Sequence, residues 1–148
     1  MRISAKGRYA LAVMVQMAEN YGNGEYIAVV NISNNLGISK IYLEQIFSLL
    51  KKSGLLNSVK GTQGGYHLAR RPKQITAADI LSAVEISIFE ETKGTASDKA
   101  IEIDKSIRLL IFDELDKKIK ETLESITLEA LVSEAEKHKA DGKDMFYI

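Results

Sequence analysis

Apolar residues recur at helical spacing in the first half of the chain. Leu43, Ile46, Phe47 and Leu50 fall at i, i+3, i+4 and i+7, which places all four on one face of a helix. The predicted helix covers residues 39–52, because its first residue is a serine that can act as N-cap and its last two are lysines that suit the C-terminal end of the helix dipole. The opposite face of this helix is therefore expected to be exposed.

Three further helices are predicted within the first 86 residues. Residues 4–20 are apolar nearly all round at their centre, which is typical of a helix buried on more than one side. Residues 29–36 form a short helix that Gly37 ends, and another helix begins after Thr76, which can cap it.

Two short strand candidates, residues 56–59 and 66–68, flank a linker that contains three glycines. Glycine allows positive φ angles, so the linker can turn tightly and join the two segments as a hairpin. A short helix, a turn, a second helix and a hairpin make up the winged helix-turn-helix arrangement, which commonly binds double-stranded DNA. The sequence therefore predicts a mainly α fold with a small β-hairpin wing.

Residues 98–125 carry a longer amphipathic pattern. Apolar residues recur there every four positions, and a helix of about 28 residues spans roughly 42 Å. That length exceeds what a domain this small needs to cover itself, so the stripe is expected to pack on a second copy across a two-fold axis. The alternative is a helix that covers its own domain. The predicted dimerisation residues are Ile103, Ile107, Leu110, Ile111, Leu115, Ile119 and Leu123.

These elements divide the chain into four parts. Residues 1–86 form the predicted winged helix-turn-helix domain, and residues 87–97 form a loop. Residues 98–138 hold the long helix and a last short helix near residues 127–138, and residues 139–148 form a C-terminal tail. The long helix is thus expected to extend from the first domain as an arm.

Composition narrows the class of protein. The chain of 148 residues has no cysteine, which excludes disulfides, thiolate metal ligands and a cysteine-held iron–sulfur cluster. No segment approaches the roughly 20 apolar residues of a membrane helix, and the start of the chain lacks a signal-peptide cleavage site, so we expect a cytoplasmic protein with no membrane partner. The two histidines, His67 and His138, lie in no nucleophile or metal motif, so an enzyme is not expected.

The net charge is zero but is unevenly distributed. Residues 1–80 contain 10 Lys or Arg and 4 Asp or Glu, whereas residues 81–148 contain 10 and 16. The resulting balance of +6 in the first part suits a polyanion such as DNA, and the balance of −6 in the second part would be repelled by one. The alternative is chance segregation of charge.

Glu44 stands out on the exposed face of the helix at residues 39–52, because a carboxylate is repelled by phosphates. Glutamate can instead accept a hydrogen bond from cytosine N4, and the neighbouring Gln45 can bind adenine at N6 and N7. The alternative is an intrahelical ion pair between Lys40 and Glu44, worth only ~0.2–0.5 kcal/mol. We favour base readout.

Other DNA contacts are expected around this helix. Tyr42 can reach a phosphate through its hydroxyl or simply pack on the domain, and the wing can enter a minor groove, follow the backbone or remain a solvated turn. Exposed N–H groups at the start of the first helix also favour phosphate. With Glu44 and Gln45, the predicted DNA-binding set is Arg2, Ser4, Lys6, Ser39, Lys40, Ile41, Tyr42, Ser48, Lys60, Gly61, Thr62 and Gln63.

Three segments of the chain resemble the Rrf2 family of dimeric bacterial winged-helix regulators. They are MRISAKGRYALAVMVQMA, GISKIYLEQIFSLLKKSGLLNSVKGTQGGYHLAR and ITAADILSAVE, and the resemblance covers about the first 86 residues closely and the long helix in pattern. It implies that the YLEQ helix enters the major groove and that the wing residue before the first glycine enters the minor groove. Those roles fall on Tyr42, Glu44, Gln45 and Lys60. The wing often has arginine where this chain has Lys60, which lacks the planar guanidinium fork.

Many members of this family hold an iron–sulfur cluster through three cysteines in the loop before the long helix. The corresponding loop here, residues 90–97, has no cysteine, so a cluster of that type is excluded and no cofactor is expected. The chain also resembles a cluster-free member that represses genes of cysteine metabolism. That resemblance implies a dimeric repressor of cysteine or sulfur metabolism genes that binds a two-fold-related operator. The alternatives are a regulator of another stress or metabolic pathway with a different signal, and an interaction module that no longer binds DNA.

The chain ends in an apolar segment: Met145, Phe146, Tyr147 and Ile148. The cluster-free member works with cysteine synthase, whose active site accepts a peptide that ends in isoleucine. The resemblance therefore implies that this segment inserts into a cysteine synthase. The alternative is that Phe146 and Tyr147 pack back on the domain.

Overall fold

The structure is a computed structural model and describes residues 3–24, 26–61, 64–95 and 98–146. The elements follow in the order α1 (Ala5–Glu19), α2 (Val29–Leu36), α3 (Lys40–Lys52), β1 (Leu56–Val59), β2 (Gly65–Leu68), α4 (Ala77–Val84), α5 (Ile101–Ile107), α6 (Asp113–Ser125) and α7 (Leu128–Phe146). Short 3-10 turns cover Pro72–Gln74, Ile86–Phe89 and Asp98–Ala100, and a π-helical turn covers Arg108–Phe112. The predicted mainly α fold with a small hairpin is confirmed. Within the described residues, no helix has the length and apolar character that crossing a membrane requires.

Helix α1 lies at the centre of the domain. The Ser4 hydroxyl caps its start by accepting a hydrogen bond from the Gly7 N–H over 3.1 Å. The helix is buried on several sides, as predicted, because it contacts α2, α3, α4 and α7. Helix α4 comes close at Gly7, where a Cβ atom would lie 3.2 Å from Leu81 Cδ2.

Helices α2 and α3 form the helix-turn-helix. Gly37 ends α2 with a φ angle of 69°, in the left-handed region that glycine adopts without steric cost. The Ser39 hydroxyl then caps α3 by accepting a hydrogen bond from the Tyr42 N–H over 3.3 Å. The predicted core stripe of α3 is confirmed, since all four of its members are buried: Leu43, Ile46, Phe47 and Leu50.

The wing is the antiparallel pair of β1 and β2, in a register that places Val59 opposite Gly65. Pairing continues on the other side of β2, where the Ile27 N–H donates to the Tyr66 carbonyl over 2.8 Å and the Tyr66 N–H donates to the Ile27 carbonyl over 2.9 Å. Glycine is required at position 65, because a Cβ atom there would lie 2.6 Å from the Ile27 carbonyl oxygen. The wing is therefore attached to the segment that leads into α2, a contact that the sequence did not predict.

The starts of α4 and α7 are joined. Thr76 and Asp79 form a capping box on α4, in which the Thr76 N–H donates to the Asp79 carboxylate over 2.9 Å and the Asp79 N–H donates to the Thr76 hydroxyl over 3.1 Å. The Leu128 N–H donates to the Ile75 carbonyl oxygen over 2.8 Å. The Leu128 side chain is buried in the core that α1 and α3 share, so the first turn of α7 is part of the winged-helix domain.

The long helix runs through residues 101–125 with helical backbone angles at both junctions of its π-helical turn. The prediction began it at residue 98, but Asp98–Ala100 form a 3-10 turn instead. The π-helical turn was also not predicted. An α-helix repeats every 3.6 residues, so an apolar stripe with a spacing of four drifts round it. A π turn closes i→i+5 hydrogen bonds and holds more residues per turn, which keeps the two halves of the stripe nearer to one face.

Helix α7 is longer than predicted. The short helix near residues 127–138 and the separate tail from residue 139 are wrong, because α7 continues to Phe146. Gly142 does not end it, since a glycine inside a helix costs only ~1 kcal/mol relative to alanine. The second half of α7 is held to α1 by an ion pair of 3.2 Å between Lys139 and Glu19.

Candidate nucleic-acid interface

The exposed face of α3 lies opposite its buried stripe. Ile41, Glu44, Gln45 and Ser48 are exposed and follow the spacing i, i+3, i+4 and i+7, so they share this face. Lys40 is exposed at its edge. The structure thus brings together the α3 residues predicted for DNA contact, on a helix placed as a recognition helix is.

An ion pair lies on this face. Lys40 Nζ is 3.8 Å from Glu44 Oε1, and the two side chains are 59% and 53% exposed. This is the intrahelical pair considered as the alternative to base readout, but exposed i,i+4 pairs contribute only ~0.3–0.5 kcal/mol. An interaction that weak leaves Lys40 able to bind a phosphate and Glu44 able to bind a base.

A groove of about 420 Å³ runs beside Glu44 between α2, α3 and the wing. Val29 and Val30 form its wall at the start of α2, and Gly65 and Tyr66 form its wall on the wing. The sequence did not identify the two valines, because their place beside α3 depends on how α2 packs. The start of α2, the exposed face of α3 and the wing therefore form one continuous surface.

The wing is held against α3 by an aromatic contact. The rings of Phe47 and Tyr66 have centroids 4.7 Å apart, a separation at which aromatic rings attract each other. Lys60 and Gly61 are exposed at the tip of the wing, and Gly61 has a φ angle of 135°. The tip thus presents a lysine on a backbone whose base is fixed by the core.

Tyr42 packs on the domain. Its side chain is half-buried, and its ring lies edge-on to that of Tyr9, with centroids 5.6 Å apart. This contact supports the packing interpretation of Tyr42. A contact between its hydroxyl and a phosphate stays a prediction.

The start of α1 is tied into the fold, and its predicted phosphate contacts stay a prediction. The Ser4 hydroxyl is occupied by the Gly7 N–H, and the Ser4 N–H donates to Glu85 Oε1 over 3.0 Å. Lys6 is half-buried, so Ser4 serves the fold while Lys6 retains a charge that a phosphate can meet. Three other residues of the predicted DNA-binding set lie outside the described residues: Arg2, Thr62 and Gln63.

The predicted dimerisation stripe is divided between two environments. Leu123 is buried against α4, with Ile119 partly buried beside it, and Ile107 is half-buried. The remaining members are about half exposed or more: Ile103, Leu110, Ile111 and Leu115. The C-terminal end of the long helix therefore covers its own domain, as the alternative interpretation expected, while its N-terminal part presents an exposed apolar face.

The loop before the long helix is held by two carboxylates of that helix. The Thr95 N–H donates to Asp104 Oδ1 over 2.7 Å, and the Thr92 N–H lies 3.4 Å from Asp116 Oδ2. The chain has no cysteine, and the described residues contain no group of three or more His, Asp or Glu placed to hold a metal ion. The donor set of this loop does not fit a cysteine-held iron–sulfur cluster.

The two histidines lie in separate structural contacts. The His67 ring meets the Tyr26 ring edge-on with centroids 4.4 Å apart. His138 Nε2 lies 3.3 Å from Glu134 on the surface of α7.

The apolar end of the chain begins inside a helix. Met145 and Phe146 are the last residues of α7, and Tyr147 and Ile148 lie outside the described residues. The segment predicted to insert into cysteine synthase is therefore not a free tail along its whole length.

Comparison with known proteins identifies relatives along nearly the whole chain. The model of a family described as "Rrf2: Iron-dependent Transcriptional regulator" matches residues 3–134. The HTH-type transcriptional regulator IscR of Xenorhabdus nematophila is 38% identical over 136 residues, which cover 92% of this chain and 82% of that protein. The HTH-type transcriptional regulator CymR of Bacillus subtilis is 34% identical over 151 aligned residues, which cover 100% of both chains.

A solved structure has the same fold. The structure of CymR, described as the global cysteine regulator of B. subtilis, matches with a TM-score of 0.74 and 35% identity, covering 90% of this chain and 97% of that chain. These relatives are transcriptional regulators and not enzymes, in agreement with the prediction from the sequence that no enzyme is expected. With its helix-turn-helix, its wing and a family match over residues 3–134, this chain belongs to the Rrf2 family of DNA-binding transcriptional regulators.

Proposed function

We propose that this regulator is a homodimer that represses genes of cysteine or sulfur metabolism by binding a two-fold-related operator without an iron–sulfur cluster. The observation that carries the DNA-reading part is the exposed face of α3, where Glu44 lines the groove beside the wing and Gln45 is exposed next to it. In this proposal α3 enters the major groove and Lys60 enters the adjacent minor groove.

Glu44 and Gln45 are the residues on this face whose chemistry distinguishes bases. Glu44 accepts a hydrogen bond from cytosine N4, and Gln45 binds adenine at N6 and N7. Lys40, which lies 3.8 Å from Glu44, moves to a phosphate when DNA arrives and leaves the carboxylate free for the base. The two contacts support each other, because Lys40 bound to a phosphate reduces the repulsion between that phosphate and the Glu44 carboxylate.

The exposed part of the long helix supports the homodimer. Ile103, Leu110, Ile111 and Leu115 form an apolar face that the winged-helix domain leaves exposed. An apolar face of this kind is typical of a subunit interface, and a two-fold axis is the commonest way to close one. Two α3 helices related by that axis would read half-sites separated by about one helical turn of DNA, or by multiples of it.

The pathway assignment rests on a relative and on composition. CymR, described as a global cysteine regulator, aligns over the full length of both chains. The absence of cysteine is consistent with a regulator that senses its signal without a thiolate-held cluster. IscR relatives are equally similar, so a different pathway is the alternative that the operator itself must decide.

The test begins with the operator. Genomic DNA fragments are selected with the full-length protein, and affinities are measured by fluorescence anisotropy at one salt concentration, because phosphate contacts make affinity salt-dependent. Fragments from upstream of cysteine or sulfur metabolism genes support the pathway, and fragments from unrelated genes refute it. If no fragment is enriched, the DNA-reading proposal itself fails.

The base contacts are tested on the selected operator. Glu44→Ala and Gln45→Ala should each relax preference at one base pair by roughly 1–3 kcal/mol. The matched control is Glu121→Ala, because Glu121 forms the same kind of exposed i,i+4 pair, with Lys117 at 3.9 Å on α6. Equal weakening on every sequence would show that Glu44 and Gln45 do not read bases.

The proposal includes cysteine synthase as a partner of the chain end. Because Met145 and Phe146 are helical, insertion as an extended peptide requires the last turn of α7 to unwind. The full-length protein should capture the enzyme in a pull-down, and a form lacking Tyr147 and Ile148 should not. Equal capture by both forms would exclude this contact.

A further inference from the structure

Ile41 is the most exposed large apolar side chain of the winged-helix domain among the described residues, at 75%. Leu110 has the same exposure, but it belongs to the apolar face of the long helix. Ile41 instead lies in the first turn of α3, where the fold leaves its side chain largely uncovered. Neither the core nor the proposed dimer therefore covers this side chain.

The position of Ile41 connects it to base reading. It precedes Glu44 by three residues and Gln45 by four, so all three side chains point from one face of α3. Side chains at this spacing lie ~5–6 Å apart, which is within reach of neighbouring base pairs. A placement of α3 that brings Glu44 and Gln45 to base edges therefore brings Ile41 to a neighbouring base pair.

The chemistry of Ile41 selects its contact. An isoleucine side chain has no hydrogen-bonding group, so it gains nothing from a phosphate or from the polar edges of guanine, cytosine or adenine. The major groove offers one apolar group, the C5 methyl of thymine. We propose that Ile41 packs on the methyl group of an operator thymine and so specifies a T·A pair beside the base pairs that Glu44 and Gln45 read. This inference rests on the proposed DNA-reading function of α3.

Two other exposed apolar residues lie near this surface and do not compete for the role. Val30 is at the start of α2 and Val59 is at the end of β1, and both are less exposed than Ile41. Neither valine lies on α3, so neither shares the helix face that carries Glu44 and Gln45.

The experiment uses the full-length protein and the operator selected with it. Each thymine of one half-site is replaced in turn by deoxyuridine, which removes only the methyl group. One replacement should weaken binding about fourfold, equivalent to ~0.8 kcal/mol for one buried methyl group at 1.4 kcal/mol per tenfold. Ile41→Ala should bind the thymine and deoxyuridine operators equally, whereas Ile41→Val should keep part of the difference.

The control is Ile86→Ala, which truncates another isoleucine that is 70% exposed but lies on the 3-10 turn after α4. It should keep the full preference for thymine over deoxyuridine. The inference is overturned if no thymine replacement changes affinity, or if Ile41→Ala retains the wild-type difference. A failure to enrich any operator would instead overturn the proposed function, together with this inference, before any thymine is replaced.

Discussion

Replacing Gly65 with alanine is expected to loosen the wing from the segment before α2. A Cβ atom at this position would lie 2.6 Å from the Ile27 carbonyl oxygen, 2.7 Å from its carbonyl carbon and 3.1 Å from the Ala28 nitrogen. All three are backbone atoms, so no side-chain rotation relieves the overlap. Because non-bonded carbon atoms prefer separations of ~3.5–4.0 Å, the Ile27 backbone has to retreat by roughly 1 Å.

That retreat acts on two hydrogen bonds. The Ile27 N–H bond to the Tyr66 carbonyl is 2.8 Å long, and the Tyr66 N–H bond to the Ile27 carbonyl is 2.9 Å long. Each contributes ~0.5–1.5 kcal/mol net, so the free energy of unfolding should fall by about 1–3 kcal/mol. For a chain of this size, such a loss lowers Tm by about 2–12 °C.

Thermal unfolding measured by circular dichroism gives the change in Tm for Gly65→Ala, and amide hydrogen exchange at Tyr66 reports on the bond to Ile27. Operator affinity should fall in parallel, because the wing carries Lys60. Gly142→Ala is a suitable comparison, since a Cβ atom at that glycine meets nothing within 4 Å. An unchanged Tm together with unchanged exchange at Tyr66 would refute this reasoning.

Two further outcomes follow from the helices. Gly142→Ala should raise the free energy of unfolding by up to ~1 kcal/mol in the same melting experiment, because alanine is the better helix former; no gain would mean that α7 does not persist through this position. Leu115→Asp should convert the proposed dimer to a monomer in size-exclusion chromatography with light scattering, because it places a charge on the exposed apolar face. Lys117→Asp, which introduces the same residue away from that face, should leave the dimer intact. A dimeric Leu115→Asp variant would show that the subunits meet elsewhere.

Local spacing predicted the recognition helix almost completely. The Ser39 cap, the buried stripe and the exposed face with Glu44 and Gln45 all depend on residues within one or two turns of each other. The same spacing identified which residues of α3 are turned away from its buried stripe, but not which of the predicted DNA-binding side chains pack on the rest of the domain. Tyr42 packs on Tyr9 from another helix, a contact that only the assembled domain forms.

The wing shows which features local sequence patterns predict and which they do not. The hairpin was predicted from its glycines and its two short strand candidates, and both strands are present. The attachment of the wing to Ile27 joins residues far apart in sequence, so no local sequence pattern predicted it. That attachment also explains Gly65, whose requirement comes from a close approach of a third segment and not from the turn itself.

The second half of the chain was predicted in outline. The stripe with a spacing of four identified the long helix, but it also contained the signal for the π-helical turn, because a strict spacing of four does not match 3.6 residues per turn. The tail predicted from residue 139 is helical as far as Phe146, where α7 ends, and Lys139 forms an ion pair with Glu19 of α1.

The sequence by itself determined the order of helices and hairpin, the exposed face of α3 and the exclusion of a cysteine-held cluster, because these depend on nearby spacing or on which residues are present at all. Only the tertiary structure decided which parts of the long helix are covered and how the wing is attached. It also decided that Leu128 is buried in the core that α1 and α3 share. The physical reason is that burial and backbone pairing are set by segments distant in sequence. Local periodicity shows which face of an element is apolar, but the packed fold decides what that face contacts.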